Sequence, residues 1–375
     1  MTRILVAPDK FKGSLSASDV AAAVRRGLLA HDPGLDVVCL PVADGGDGTL
    51  EAAVAAGYDR IERTASGPTG DPVSTAYARQ HATAVVEMAD VSGLTRLPDG
   101  KLQPLTATSR GTGELIAAAL DQGCRRIVLG IGGSACTDGG AGMLQALGAR
   151  LRDENGVEIE PGGGPLADLK SLDLTEMHPA LTEAEVVVAC DVDNPLTGPH
   201  GAAAVYGPKG ASPEDVQQLE ANLGHWADLV AAETGGDLRS TEGAGAAGGV
   251  GFAAIAVLGA TLSPGIDLVL DLVDFESHLA QAELVVVGEG SLDEQTLRGK
   301  APAGVARKAA EKGVTVIAVC GRRALDDEQL RKAGISATYA LADLEPDPAV
   351  SMAQAAPLLE RVSERIGREH LPPRR

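Results

Sequence analysis

Carboxylates, lysines and glycines gather in six short stretches of this 375-residue chain. The first two are Pro8-Asp9-Lys10-Phe11-Lys12-Gly13-Ser14 and Ala43-Asp44-Gly45-Gly46-Asp47-Gly48-Thr49. The third is Gly130-Ile131-Gly132-Gly133-Ser134-Ala135-Cys136-Thr137-Asp138-Gly139-Gly140, and the fourth is Asp191-Val192-Asp193-Asn194-Pro195. The last two are Gly243-Ala244-Gly245-Ala246-Ala247-Gly248-Gly249-Val250-Gly251 and Gly288-Glu289-Gly290-Ser291-Leu292-Asp293, with Lys300 further on. A glycine-rich turn from strand into helix points backbone N–H groups at open space, where an anion can sit. Ser134, Thr137 and Asp138 add hydroxyls and a carboxylate, suited to a phosphate with a metal. Two lysines in one tight loop suit an anionic substrate. Carboxylates beside anion loops are what phosphoryl transfer needs: one positions the attacking hydroxyl, and Mg²⁺ takes oxygens from carboxylates and phosphates.

Each stretch also has a plainer reading. The glycines serve tight turns without any ligand, and Asp44 and Asp47 cap the helix that starts near Thr49. Lys10 and Lys12 are ordinary solvated lysines, and Asp191 and Asp193 close an Asx-turn ahead of Pro195. No Gly-Lys-Ser/Thr ends the 243–251 cluster, so there is no Walker A motif. A dinucleotide fold would leave these carboxylates without work, and they would crowd a pyrophosphate.

What positions these residues is a series of apolar, β-branched runs at residues 4–7, 37–42, 84–88, 127–131, 186–190, 284–287 and 314–319. Alanine-rich stretches with helical spacing lie between most of them, at 17–30, 112–122, 302–312 and 349–366. Continuous apolar strands alternating with amphipathic helices predict an α/β protein with parallel sheets buried on both faces. Ligands bind outside the carboxyl ends of such strands. Most of the six stretches stand there. The strands outnumber what one compact sheet holds, and turn-rich or irregular zones interrupt the rhythm at 66–72, 235–251 and 263–265. The economical arrangement is a discontinuous domain from residues 1–62 and 268–375, with 63–267 inserted as a second α/β domain. The tail at 372–375 is expected to fray.

Composition narrows the chemistry. Hydrophobic residues make up 44% and aromatics 2%, so a core is available and must be aliphatic. A formal net charge of −20 argues against nucleic acid and anionic membrane surfaces. Five scattered cysteines without a Cys-x-x-Cys pair predict reduced thiols, and seven dispersed histidines make zinc an unsuitable expectation. No signal peptide is visible, and no apolar segment approaches the roughly 18 residues that span a bilayer. The expectation is a cytoplasmic protein, monomer or homodimer, with a small-molecule substrate.

With these six ordered stretches in view, the chain resembles the two-domain glycerate kinase family of bacteria. The resemblance spans nearly the whole chain and continues through Lys300-Ala301-Pro302. It implies ATP-dependent phosphorylation of D-glycerate with Mg²⁺, and a flavodoxin-like domain interrupted by a second α/β domain. The chain departs from the family's pattern at Cys136-Thr137, at Ser291, where the family usually carries Arg, and before Lys209 in Gly207-Pro208-Lys209-Gly210. The expected site lies in the cleft between the domains. Lys10 is a catalytic cation, and Asp191 or Asp293 orients the hydroxyl as general base. Lys12, Ser14, Asn194 and Lys300 bind substrate, while Gly132, Gly133, Ser134, Gly248 and Gly249 bind nucleotide phosphate. Asp44, Asp47 and Glu289 gather around Mg²⁺. Resemblance favours the 2-hydroxyl, with the 3-hydroxyl as the alternative. A binding protein that kept the fold without catalysis is the rival of a different class.

Overall fold

The computed structural model describes residues 2–206 and 209–371, so the tail at 372–375 and the Gly207-Pro208 pair lie outside it. The chain divides into two compact units. One comprises the chain up to Asp44, Glu51–Gly57 and the chain from Ile266 onward; the other comprises Gly45–Leu50 and Tyr58–Gly265.

The first unit is built on β1 (Arg3–Pro8), β2 (Asp36–Cys39), β11 (Leu284–Leu292), β12 (Thr315–Arg323) and β13 (Ala337–Ala340). They pair in the order β13-β12-β11-β1-β2, every pair parallel. Counted along this unit, that is the flavodoxin-like order, with its switch point between the first and third strands, here β1 and β11. Successive residues of these strands feed two cores. Leu5, Ala7, Val285 and Val287 face one layer, and Ile4, Val6, Leu284 and Val286 face the other. Fully burying such side chains contributes about 1.5–3 kcal/mol each. Helix Ala17–His31 starts at the Ser16 cap, whose hydroxyl accepts from Asp19 N–H. It shares the second core with helix Ala355–His370.

The second unit carries a six-stranded sheet of β10 (Thr261–Ser263), β9 (Glu185–Ala189), β6 (Arg126–Gly130), β5 (Thr83–Glu87), β4 (Pro72–Gln80) and β3 (Asp59–Ser66), in that order. The pairs from β10 to β5 are parallel; β5–β4 and β4–β3 are antiparallel. A small hairpin of β7 (Arg150–Arg152) and β8 (Ser171–Asp173) completes the strands. All seven apolar runs are strands. The antiparallel meander departs from the all-parallel expectation. β3 is largely exposed and β4 mixes small and polar residues, four of them buried in succession, so neither reads as an apolar run; the zone at 66–72 is their hairpin turn. Residues 59–62, which rhythm placed in the first domain, are therefore the start of β3.

Candidate functional site

In the first unit, chemistry concentrates at the switch point. Pro8 is in register with Gly288, so Asp9 and Lys10 leave β1 beside Glu289 of β11. Asp9 is buried; its N–H donates to the Gly288 carbonyl at 2.8 Å, and Lys10 N–H donates to its Oδ1 at 2.6 Å. Burial, then the charges of Asp44 and Glu289, push the Asp9 carboxyl up to about 7. Glu289 is also buried, and accepts from Thr296 Oγ1 at 2.8 Å and Lys300 Nζ at 3.0 Å. Burial raises Glu289 despite these two donors. Burial also pulls on Lys300, but the Glu289 carboxylate and the charges of Asp44 and Asp293 outweigh it and hold the ammonium charged. The carboxylate is the more deeply buried partner, 8% exposed against 33%, and carries the desolvation cost.

Lys10 is half-buried and Lys12 exposed. Ser14 is committed elsewhere: its hydroxyl donates to the Met352 carbonyl at 2.8 Å, tying the loop to helix Pro348–Ala353. Asp293 closes its own turn, accepting from Gln295 N–H at 3.0 Å and Ser291 Oγ at 3.2 Å. Ser291 receives Arg322 Nε at 3.0 Å from its register partner on β12.

In the second unit, Glu87, Gly130 and Ala189 are in register at the carboxyl ends of β5, β6 and β9. Glu87 is buried and its Oε2 accepts from Gly48 N–H at 3.2 Å and Leu50 N–H at 2.9 Å, anchoring residues 45–50 over the strand ends. Burial is the main cause that pushes Glu87 up to about 7; Asp47 and Asp90 add to it. Gly132 is glycine because main chain passes there: a Cβ would come within 2.7 Å of Gly46 Cα. Gly133 takes φ +72°, and its carbonyl accepts Leu94 N–H at 2.9 Å. Ser134 is buried, and its hydroxyl accepts from Lys209 Nζ at 2.7 Å.

Gly248 and Gly249 do not line open space. A Cβ on Gly248 would sit 2.2 Å from the Cys136 carbonyl, and one on Gly249 would sit 2.7 Å from Gly139 Cα. Main-chain packing against residues 136–139 accounts for both, contrary to a phosphate role. Asp138 is fully buried and accepts from the Ser109 N–H and hydroxyl, the Thr108 hydroxyl, and Gly140 and Gly142 N–H. It organises the turn.

After β9, Asp191 is exposed and accepts Gly265 N–H at 2.8 Å. Asn194 is the anomaly. It is 8% exposed, yet neither Nδ2 nor Oδ1 finds a hydrogen-bond partner among the described residues. Buried amides are normally satisfied, so an orphaned one calls for an explanation.

Of the expected magnesium ligands, Asp44 and Glu289 belong to the first unit and Asp47 to the second, and Glu289 is engaged by Thr296 and Lys300. Among the described residues, no group of three or more His, Cys, Asp or Glu could hold a metal. No described helix is long and apolar enough to cross a membrane. Three residues were passed over in the sequence: Asp9, Glu87 and Lys209. A carboxylate inside the apolar run at 84–88 was the available signal for Glu87.

The glycerate kinase family profile matches residues 4–371. The chain belongs to the glycerate kinase family. It is 47% identical over 368 residues to a glycerate kinase of Bacillus subtilis strain 168, covering 97% of this chain and 96% of the relative. It is 45% identical to a glycerate 2-kinase of Escherichia coli K12, over 90% of each chain. A crystal structure from Salmonella typhimurium LT2, described as glycerate kinase 2, superposes with a TM-score of 0.85 at 42% identity, covering 98% of this chain and 97% of that one. Family membership makes the chain an enzyme, a kinase whose acceptor is an alcohol.

Proposed function

We propose that the chain transfers the γ-phosphoryl group of ATP to the 2-hydroxyl of D-glycerate, giving 2-phosphoglycerate and ADP. The observation that carries this reading is the cluster at the β1/β11 switch point. There, in a chain of net charge −20, Lys10 and Lys300 stand among Asp9, Asp44 and Glu289. Ligands of doubly wound sheets bind at that point. Lysine supplies a compact positive charge for a carboxylate or a moving phosphoryl group. In the second unit, the orphaned amide of Asn194 can donate to and accept from a hydroxy acid at once.

The general base is a carboxylate that orients the acceptor hydroxyl. Asp293 spends both oxygens closing its own turn, which favours Asp191, oriented by Gly265 N–H. Lys10 neutralises charge on the transferring group, and Lys300 is held ready by Glu289. Mg²⁺ enters with the nucleotide, whose phosphates supply its oxygen ligands; among the described residues no group of three or more His, Cys, Asp or Glu could hold it. The five cysteines are free.

The test is ADP release from ATP by the purified chain, with and without D-glycerate. Release that depends on D-glycerate is expected. Calorimetric binding of either ligand without ADP release would instead make the chain a binding protein.

A further inference from the structure

A cleft lies at the free edge of the first unit's sheet. It encloses about 280 Å³ between the end of β13, the turn Leu341–Asp343 that follows it, and helix Ala355–His370. β13 is the edge strand, two strands away from β11 and the switch point. In a chain of net charge −20, this cleft gathers Arg361, Arg365 and Arg368, whose spacing puts them on one face of the helix. Two of the three are engaged. Arg365 pairs with Glu369 at 2.6 Å and lies over the Tyr339 ring, 5.3 Å from its centre, while Arg368 pairs with Glu364 at 2.8 Å. The Tyr339 hydroxyl donates to Glu369 at 2.6 Å, so this wall is ordered before any ligand arrives. The guanidinium of Arg361 has no hydrogen bond or ion pair with any described residue. The same holds for the Asp343 carboxylate, which acts on Arg365 through its charge alone. Arg361 and Asp343 thus line one cleft without pairing with each other. The rest of the lining, Ala340, Leu344 and Val362, is apolar. A simple anion would meet Asp343 there, and a simple cation would meet Arg361. A molecule that bears one charge of each sign satisfies both.

We propose that this cleft is a second ligand site, which holds a free α-amino acid with an apolar side chain, its carboxylate on Arg361 and its ammonium on Asp343. A guanidinium grips a carboxylate through two parallel N–H donors. The amino acid's side chain covers the apolar lining. The cleft stands at the small end of ligand pockets, which suits a molecule of that size. The site is independent of the phosphoryl-transfer reading.

Calorimetric titration of the intact chain with L-leucine, 4-methylpentanoate and 3-methylbutylamine tests this, since the two analogues lack the ammonium and the carboxylate in turn. Saturable binding of L-leucine is expected. Each analogue should bind about 10-fold more weakly, the low end for a charged hydrogen bond because the cleft is open to water. Arg361→Met and Asp343→Asn should each weaken L-leucine by a similar factor. Arg361→Met should leave 3-methylbutylamine unchanged, and Asp343→Asn should leave 4-methylpentanoate unchanged. Both side chains are exposed, so the variants are expected to fold, with KM values for ATP and D-glycerate equal to wild type. No saturation by L-leucine up to about 10 mM would overturn the site. So would equal binding of the three compounds by the unaltered chain, or equal binding of L-leucine by wild type and both variants. A raised D-glycerate KM in Arg361→Met would also overturn it, by placing Arg361 with the kinase substrate.

Discussion

The two units solve the same problem with different parts. At the β1/β11 switch point the groups are side chains: Lys10 and Asp44 stand with Asp9, Glu289 and Lys300, and the neighbouring charges help move the last three from their ordinary values. At the ends of β5, β6 and β9 the main chain is the main material. Residues 45–50 hang from Glu87, and glycines let the chain run within contact of itself. The difference follows from the layers. The first sheet has a single switch point toward which side chains converge, whereas the second buries its strand ends under its own loops. At these strand ends the main chain and hydroxyls meet the charges: Glu87 and Asp191 accept backbone N–H groups, and Lys209 donates to the Ser134 hydroxyl.

The sharpest way to break that division is to ask which unit supplies the base. Asp191→Asn is expected to lower kcat by about 10²–10⁴-fold, the usual cost of losing a general base. Asp293→Asn, made in parallel, should leave most of kcat. The opposite ranking in steady-state kinetics would move the base to the first unit. Next in size is Lys300→Met, which strips the buried Glu289 of its cation. D-Glycerate KM is expected to rise about 10- to 100-fold, as for a lost charged hydrogen bond, while the ATP KM moves little. An equal rise in both KM values would contradict a substrate-side role for that pair.

For the second unit, Glu87→Ala orphans the Gly48 and Leu50 N–H groups and is expected to cost about 1–3 kcal/mol in denaturant unfolding. Glu87→Gln keeps an acceptor and should retain most of it. The same burial predicts a pH dependence. Glu87 and Asp9 have ordinary values of 4.5 and 3.8 and stand at about 7 in the fold. Between those limits the folded chain holds protons that the unfolded chain has lost, so these groups make stability fall as pH rises toward 7. Above about 7 their contribution is flat. Thermal unfolding of Glu87→Gln from pH 5 to 7 should show a shallower decline than wild type; an identical slope would assign the decline elsewhere.

What could be read from the chain alone followed the strength of the local signal. Strands buried on both faces announce themselves as apolar runs, and the stretches that follow them announce the site. β3 lacks such a run because it is largely exposed, and β4 because its buried centre is Thr75-Ala76-Tyr77-Ala78 rather than β-branched aliphatics, so the meander was invisible to that test. Gly248 and Gly249 look like a ligand loop in sequence, since a glycine spared for a ligand and one spared for a neighbouring backbone are the same letter. Lys209 was hidden for a different reason: its partner is made by tertiary structure. Asn194 could be nominated, but its want of a partner shows only once its surroundings are in place.

The central claim is that the acceptor is the 2-hydroxyl of D-glycerate. It is tested most directly by incubating the purified chain with ATP and D-glycerate and feeding the product to enolase, with and without phosphoglycerate mutase. Phosphoenolpyruvate formed by enolase alone is the expected result, because 2-phosphoglycerate is the form enolase dehydrates. Phosphoenolpyruvate that appears only when the mutase is added would place the phosphoryl group on the 3-hydroxyl and contradict the account.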